Sequence, residues 1–525
     1  MKTNLASAGR VNTTRRQFLP SSILVANIPV WLWGGIAVGL IARIVVAWLP
    51  VETSFALSVP DDAYYYFTIA RNVAGGNGIS FDGLSPTNGF HPLWLSIITP
   101  FWWIAGRSQT LPVHLSLTTG ALFDLVTMAG IGYLALVLTK QIRIAGLVVL
   151  IDAWNPYNLA ASVNGLETSV GAMLFVWSLA VYWRLRLLKR ISWQQWLAIG
   201  ALWSSLLLAR TDYAVIMLPC GVDLLWRQRH QLKFCSVAVL GGLIWTPWLA
   251  WNLATFGSFT QVSSKAYPYY LHAVWEAEGH TIQEWLVRET QMAYGLLANL
   301  ARLSGFDKGI LLLALFSTGV LIWTWRTKGK LARDYTMGWD GLSGLLWPTI
   351  GATVLLSIHG LVRWMYIPWY FVPLSMLSVL WLSVLLRRID LKHPRLSTLV
   401  AALLLVFQLG QNFSVLSEGG MWASQARVAK ASMTRLVPIC DQYDMIGISD
   451  SGYYGYYLPC RVVNLDGVVN NVAFEAIREG RFRLYLDEIG VQYVELNQII
   501  TSAVAIQEGM VPSRPPFSSQ KQIRD

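Results

Sequence analysis

Charge is what this chain most lacks. Asp, Glu, Lys and Arg make up 13% of its 525 residues, while 54% are apolar and 26 are Trp. A mean hydropathy of +0.45 excludes an ordinary soluble domain, and repeated apolar runs of about 20 residues are long enough to cross a bilayer. Acid is scarcer than base, 29 residues against 40, for a net charge of +11. The positive residues sit in short clusters at 2–16, 184–190, 227–233, 326–333 and 387–395, between apolar runs and with almost no acid among them. Cytoplasmic loops have that pattern. The charge therefore reads as topology, and no nucleic-acid partner is expected.

Other absences narrow the class further. No GxGxxG or Walker pattern occurs, so nucleotide binding has no support. The four cysteines show no zinc-type spacing. Cys220 and Cys235 fall in apolar runs as small buried hydrophobes. Cys440 and Cys460 each precede a predicted strand, where parallel neighbours would bring their starting ends together, so a disulfide is expected in an oxidising compartment. Thr14-Arg15-Arg16-Gln17-Phe18-Leu19 resembles a twin-arginine export signal, but no small-x-small cleavage site follows. Residues 1–27 are read instead as a cytoplasmic anchor. No internal repeat is visible, which argues against a secondary transporter.

From that anchor the apolar runs give a polytopic α-helical membrane protein of about eleven spans. They lie near 28–49, 91–106, 112–138, 166–183, 195–210, 213–226, 234–253, 306–325, 340–358, 364–386 and 396–412. Residues 142–165, broken at Asn155-Pro156, are expected to be interfacial or re-entrant. Loops 50–90 and 254–305 fall outside, and the helical domain covers 28–412. Beyond it, residues 413–525 change character. Strand-length runs at 445–448, 461–465 and 491–496 flank a helical stretch at 472–488, an order that suggests a small extracytoplasmic α/β domain with a parallel sheet. Asp450-Ser451-Gly452 and Asp466-Gly467 follow the first two strands. Such positions often hold ligands, although turn chemistry alone also favours these residues.

The first outer loop carries the chemistry. Asp61 and Asp62 open a short helix beside a Tyr64-Tyr65-Tyr66 stripe, and Asn88-Gly89-Phe90-His91 closes the loop. Asp61 is placed as an N-cap and Asp62 at the positive end of the helix dipole, which explains one acid more readily than two. Carboxylates beside aromatic faces suit sugars, and a carboxylate at a membrane surface is a natural general base.

The stretch "DDAYYYFTIARNVAGGNGISFDGLSPTNGFHPLW" resembles the first outer loop of the GT-C superfamily, the multi-spanning glycosyltransferases that use polyprenyl-phosphate sugars. "NPYNLAASVNGLETSV", "LLLARTDYAVIML", "TPWLAWNLATFGSFTQVSSKA" and "DSGYYGYYLPCRVVNLDGVVNN" are similar to bacterial members, so the resemblance spans most of the chain in order. It implies a cavity opening outward at the cell membrane, and an inverting transfer from a lipid-phosphate donor to an acceptor hydroxyl on a glycan, lipid or protein. Asp61 would be the base and Asp62 its support or alternative. The pair is Asp-Asp where many relatives have Asp-Glu, which leaves the division of labour open.

The leaving phosphate needs cations in a low-dielectric site. Arg363 and Lys265 are the candidates, with His91, Asn88 and Tyr65 as hydrogen-bonding groups. Interfacial snorkelling is the plainer account of Arg363, and a solvated loop charge that of Lys265. Glu167 either lines the cavity or caps the following helix. Arg210 and Asp212, where two spans meet, are expected as a supporting ion pair, since charges at depth are usually paired. Asp124 must face the interior, with no readable role. A divalent metal on Asp61 would lack further clustered carboxylates, and no cofactor is predicted. Two other classes fit some of these features: a flippase for a lipid-linked sugar, and a non-catalytic glycan-binding membrane protein.

Overall fold

The computed structural model describes residues 30–231, 238–303, 338–361 and 367–509. Helices dominate, with one three-stranded sheet near the C-terminal end. Among the described residues four helices are long and apolar enough to cross a bilayer: Leu111–Thr139, Thr168–Arg186, Pro368–Lys392 and Pro394–Ser417. Shorter apolar helices stand at Leu32–Ala47, Pro92–Ala105 and Ser343–His359. The architecture is that of a polytopic helical membrane protein with a small α/β unit. The N-terminal anchor, the run at 306–325, Cys235 and Arg363 lie outside the described residues.

Local chemistry sets the breaks. Pro156 lacks an N–H and stands at the first position of the Pro156–Ser162 helix, where that donor is not needed. Asn155 caps it by accepting from the Tyr157 and Asn158 amides. The segment at 142–165 is therefore broken where expected, but its first half is no surface element. Ile144 to Ala153 are buried, and the segment packs on the Leu111–Thr139 and Val372–Lys392 helices.

Buried charge ties this bundle together. Arg43, fully buried, donates from Nε to Asp124 Oδ2 at 2.7 Å and from Nη1 to the Gly39 and Ala153 carbonyls at 3.0 and 2.8 Å. Asp124 thus gains the partner that its depth requires, and the first helix is pinned both to Leu111–Thr139 and to the end of Ile142–Ala153.

The segment expected as the second outer loop is helical over much of its described length. It forms two helices, Ser263–Ala277 and Ile282–Leu303. Val262, Ala266, Tyr270 and Val274 recur at helical spacing and are buried against the C-terminal unit, in one cluster with Val463, Leu465 and Phe474. That burial stabilises the Ser263–Ala277 helix within the segment expected as the second outer loop.

The sheet is parallel, in the order β2 (Arg461–Asn464), β1 (Met445–Ile448), β3 (Tyr493–Glu495). The helical stretch at 472–488 is two helices, Asn471–Arg478 and Phe482–Ile489, separated at Gly480, whose φ of 67° ends the first. Cys440 and Cys460 are joined by a disulfide.

One apolar cluster runs from Ala47 and Phe55 through Tyr64, Tyr65 and Trp94 to Ile446 and Tyr456. The loop 50–90 and the C-terminal unit are therefore two sides of a single core. Polar contacts align them. The helices Asp61–Ala74 and Gly452–Tyr457 lie together, with the Asp61 carboxylate accepting from the Gly452 and Tyr453 amides at 3.0 and 2.7 Å. Arg71 donates to the Gly455 and Tyr456 carbonyls at 2.9 and 2.8 Å at the other end. Acid at the amino end and base at the carboxyl end both match the helix dipole.

Candidate active site

The Asp-Asp pair is divided by this packing. Asp61 is not the N-cap: Pro60 holds that position, and Asp61 is the first helical residue, 7% exposed, with both oxygens occupied by main-chain N–H groups of the C-terminal unit. The approach is close. A Cβ on Gly452 would stand 2.3 Å from the Asp61 carbonyl oxygen and 2.8 Å from Oδ2. Asp62, half-buried at the same helix end, has no hydrogen bond to any described residue. Its pKa is raised to about 7 by burial first, then by the carboxylates of Asp450, Asp466 and Glu167. Asp61 is also raised, chiefly by burial, against the lowering effect of its two amide bonds.

The far side of the site is built from the strand ends. Asp466 accepts from the Asp450 amide at 2.7 Å and from the Val468 amide at 3.0 Å. Burial and Asp450 raise its pKa to about 6. Asp450 takes a left-handed backbone, φ 49°, uncommon for a residue with a side chain. Its carboxylate accepts from Tyr267 at 2.9 Å and Asn497 at 2.8 Å. Tyr65, expected as a hydrogen-bonding group for the donor, is buried, its hydroxyl accepting from the Ser451 amide at 3.2 Å and donating to Asp466 at 3.4 Å. Among the described residues no group of three or more His, Cys, Asp or Glu side chains is arranged to hold a metal ion.

On the bundle side, Glu167 occupies the N-cap position of Thr168–Arg186 without capping it. Its carboxylate accepts from Arg210 Nη1 at 2.7 Å, and Arg210 also donates to both oxygens of Asp212 at 3.0 and 2.6 Å. Arg210 lies over the Tyr370 ring, 4.6 Å from its centroid. His91 Nε2 is 3.8 Å from Glu167 Oε1, so His91, Glu167, Arg210 and Asp212 form a chain, and the Glu167 charge is felt at Asp62.

Two residues proposed for donor binding are otherwise engaged. Asn88 is fully buried. Its Nδ2 donates to Asn252 at 2.7 Å and to the Thr260 carbonyl at 3.3 Å, while its Oδ1 accepts from Val262 N at 3.0 Å and Asn471 at 2.9 Å. Every donor and acceptor on that amide has a protein partner, so it straps three segments together. Lys265, half-buried, donates to Ser258 at 2.5 Å within its own segment. Sequence reasoning passed over Gln261, which bonds His91, and Arg43. The repeated polar positions in "SFTQVSSKA" were the one hint for Gln261.

The chain is similar to two solved structures. One is ArnT from Cupriavidus metallidurans bound to undecaprenyl phosphate, at 13% identity and a TM-score of 0.49, covering 86% of this chain and 88% of that one. The other is the archaeal oligosaccharyltransferase AglB from Archaeoglobus fulgidus, in complex with an inhibitory peptide and a dolichol-phosphate, at 14% identity and a TM-score of 0.46, covering 92% and 72%. No protein-family model matches the chain, and no curated protein does.

Proposed function

We propose that this protein is a GT-C-type glycosyltransferase of the cell membrane, moving a sugar from a polyprenyl-phosphate donor to an acceptor hydroxyl on the outer face, with Asp62 as general base. The observation that carries the reading is the state of Asp62: a carboxylate with no hydrogen bond to any described residue, with a pKa near 7, in a site lined by buried polar side chains. A base so tuned takes a proton at neutral pH with the best balance of ionised fraction and basicity. Asp62 removes the acceptor proton, the acceptor oxygen bonds the anomeric carbon from the face opposite the phosphate, and the lipid phosphate departs with the bonding pair. The configuration inverts in one step. Arg210, held by Glu167 and Asp212, braces the bundle side of the site, and Asp61 holds the base-bearing helix end against the C-terminal unit.

The test is transfer by purified protein in lipid, with a panel of polyprenyl-phosphate sugars and an envelope acceptor fraction. Asp62→Asn is expected to lose about 10²–10⁴ in rate while still binding donor. Transfer that survives Asp62→Asn removes Asp62 as base. No transfer from any donor, with lipid moved across the bilayer, favours the flippase; binding of glycan alone favours the non-catalytic reading.

A further inference from the structure

Gln261 has no part in the mechanism above, yet its geometry is specific. The Phe90 carbonyl, 2.7 Å from Gln261 Nε2, can only accept, so the amide nitrogen must lie on this side. The same nitrogen is 3.1 Å from His91 Nδ1. An NH₂ group has two hydrogens; one goes to Phe90 and the other to the ring. His91 Nδ1 must then be bare, and the ring proton sits on Nε2. Nε2 points toward Glu167 at 3.8 Å, too far for a direct hydrogen bond. The ring is buried apart from 17% of its side chain, and among the described residues no acceptor lies within hydrogen-bond distance of this N–H, which a group entering the site can meet. The arrangement is held from both flanks, since Asn88 bonds the Thr260 carbonyl and the Val262 amide.

We propose that Gln261 is a positioning residue that fixes His91 as its Nε2–H tautomer, so that His91 offers a hydrogen-bond donor, rather than a second base, to the oxyanion of the lipid phosphate. This rests on the lipid-phosphate reading above. During transfer the acceptor proton goes to Asp62, the new carbon–oxygen bond forms, and the bond to the phosphate oxygen breaks. The electron pair leaves on that phosphate, which His91 Nε2–H stabilises by donating a hydrogen bond. A bare Nε2 there would repel the same oxyanion.

The experiment uses the full chain, labelled with ¹⁵N-histidine in nanodiscs, with His91 assigned by difference from His91→Gln. Affinity for a polyprenyl monophosphate without sugar is measured in parallel. Wild type is expected to show an unprotonated Nδ1 and a protonated Nε2. Gln261→Glu, which turns a carboxylate toward Nδ1, is expected to move the proton there and weaken phosphate binding about 10- to 100-fold. His91→Gln, whose amide keeps an N–H donor, should bind better than His91→Ala. A wild-type His91 protonated on Nδ1 overturns the proposal without any variant. So does a Gln261→Glu protein whose tautomer changes while its phosphate affinity does not. If phosphate binding responds as expected but no donor gives transfer, the positioning role stands and the transferase reading fails.

Discussion

Asp61 and Asp62 are neighbours in the chain with opposite chemical situations. Asp61 is satisfied by two main-chain amides, whereas Asp62 has no hydrogen bond to any described residue and feels the negative charge of Asp450, Asp466 and Glu167. Asp61→Asn puts an NH₂ against an amide donor, and is expected to cost about 1–3 kcal/mol of stability, read as a fall in thermal midpoint. Asp62→Asn is expected to do the reverse. Because its pKa is raised in the folded state, the fold binds this proton more tightly than the unfolded chain does. Stability contributed by the protonated form is present below about pH 4, the unfolded value, and is lost as pH rises to about 7. The Asn variant should therefore melt above wild type at pH 8 and match it near the acid end. Transfer by wild type should rise with pH through about 7 and then level, as expected of a base that must be ionised. A flat profile would remove Asp62 from the chemistry.

Among the elements, the first helix depends most on a single side chain. Val30–Ala47 is apolar almost throughout, so its contacts with lipid and with its neighbours are similar in kind, and apolar burial contributes little to placing it. Arg43 supplies the specificity through Asp124 and the Ala153 carbonyl. Arg43→Met leaves a buried carboxylate without its cation, an expected loss of about 3–5 kcal/mol. Arg43→Met combined with Asp124→Leu should recover most of that loss in a double-mutant cycle. A single variant as stable as wild type would show that the pair contributes nothing to packing.

For the molecule as a whole, the site exists only where three segments meet. Gly89 lies so close to the C-terminal unit that a Cβ would fall 1.9 Å from the Val468 carbonyl oxygen. Gly89→Ala is expected to separate the loop 50–90 from that unit and to reduce transfer well beyond its effect on melting, since Asp62 and Asp466 lie on opposite sides of the contact. The Cys440–Cys460 disulfide closes a loop of 20 residues at the foot of the sheet. Removing it with Cys440→Ser and Cys460→Ser together should lower stability by about 3 kcal/mol. Reductant should lower the melting temperature of wild type and leave the double variant unmoved.

Short-range chemistry accounts for what could be read along the chain. Apolar runs announced the membrane helices, Asn155-Pro156 announced a break, and three short β-rich runs separated by helix announced a parallel sheet. Each depends on residues within one or two turns of each other. The Ser263–Ala277 helix in the Tyr-rich 254–305 region was not legible because it is stabilised by a partner surface about 200 residues away, in the cluster that joins Tyr270 to Val463. The same limit applies at the site. Two adjacent acids mark a place, but which one is free depends on where Gly452 and Tyr453 aim their amides. Whether Asn88 meets substrate or protein depends likewise on Val262 and Asn471. Hydrogen bonds and desolvation act over a few ångströms in space, between residues hundreds apart in the chain, so the tertiary structure decides which polar groups are consumed and which are left for chemistry.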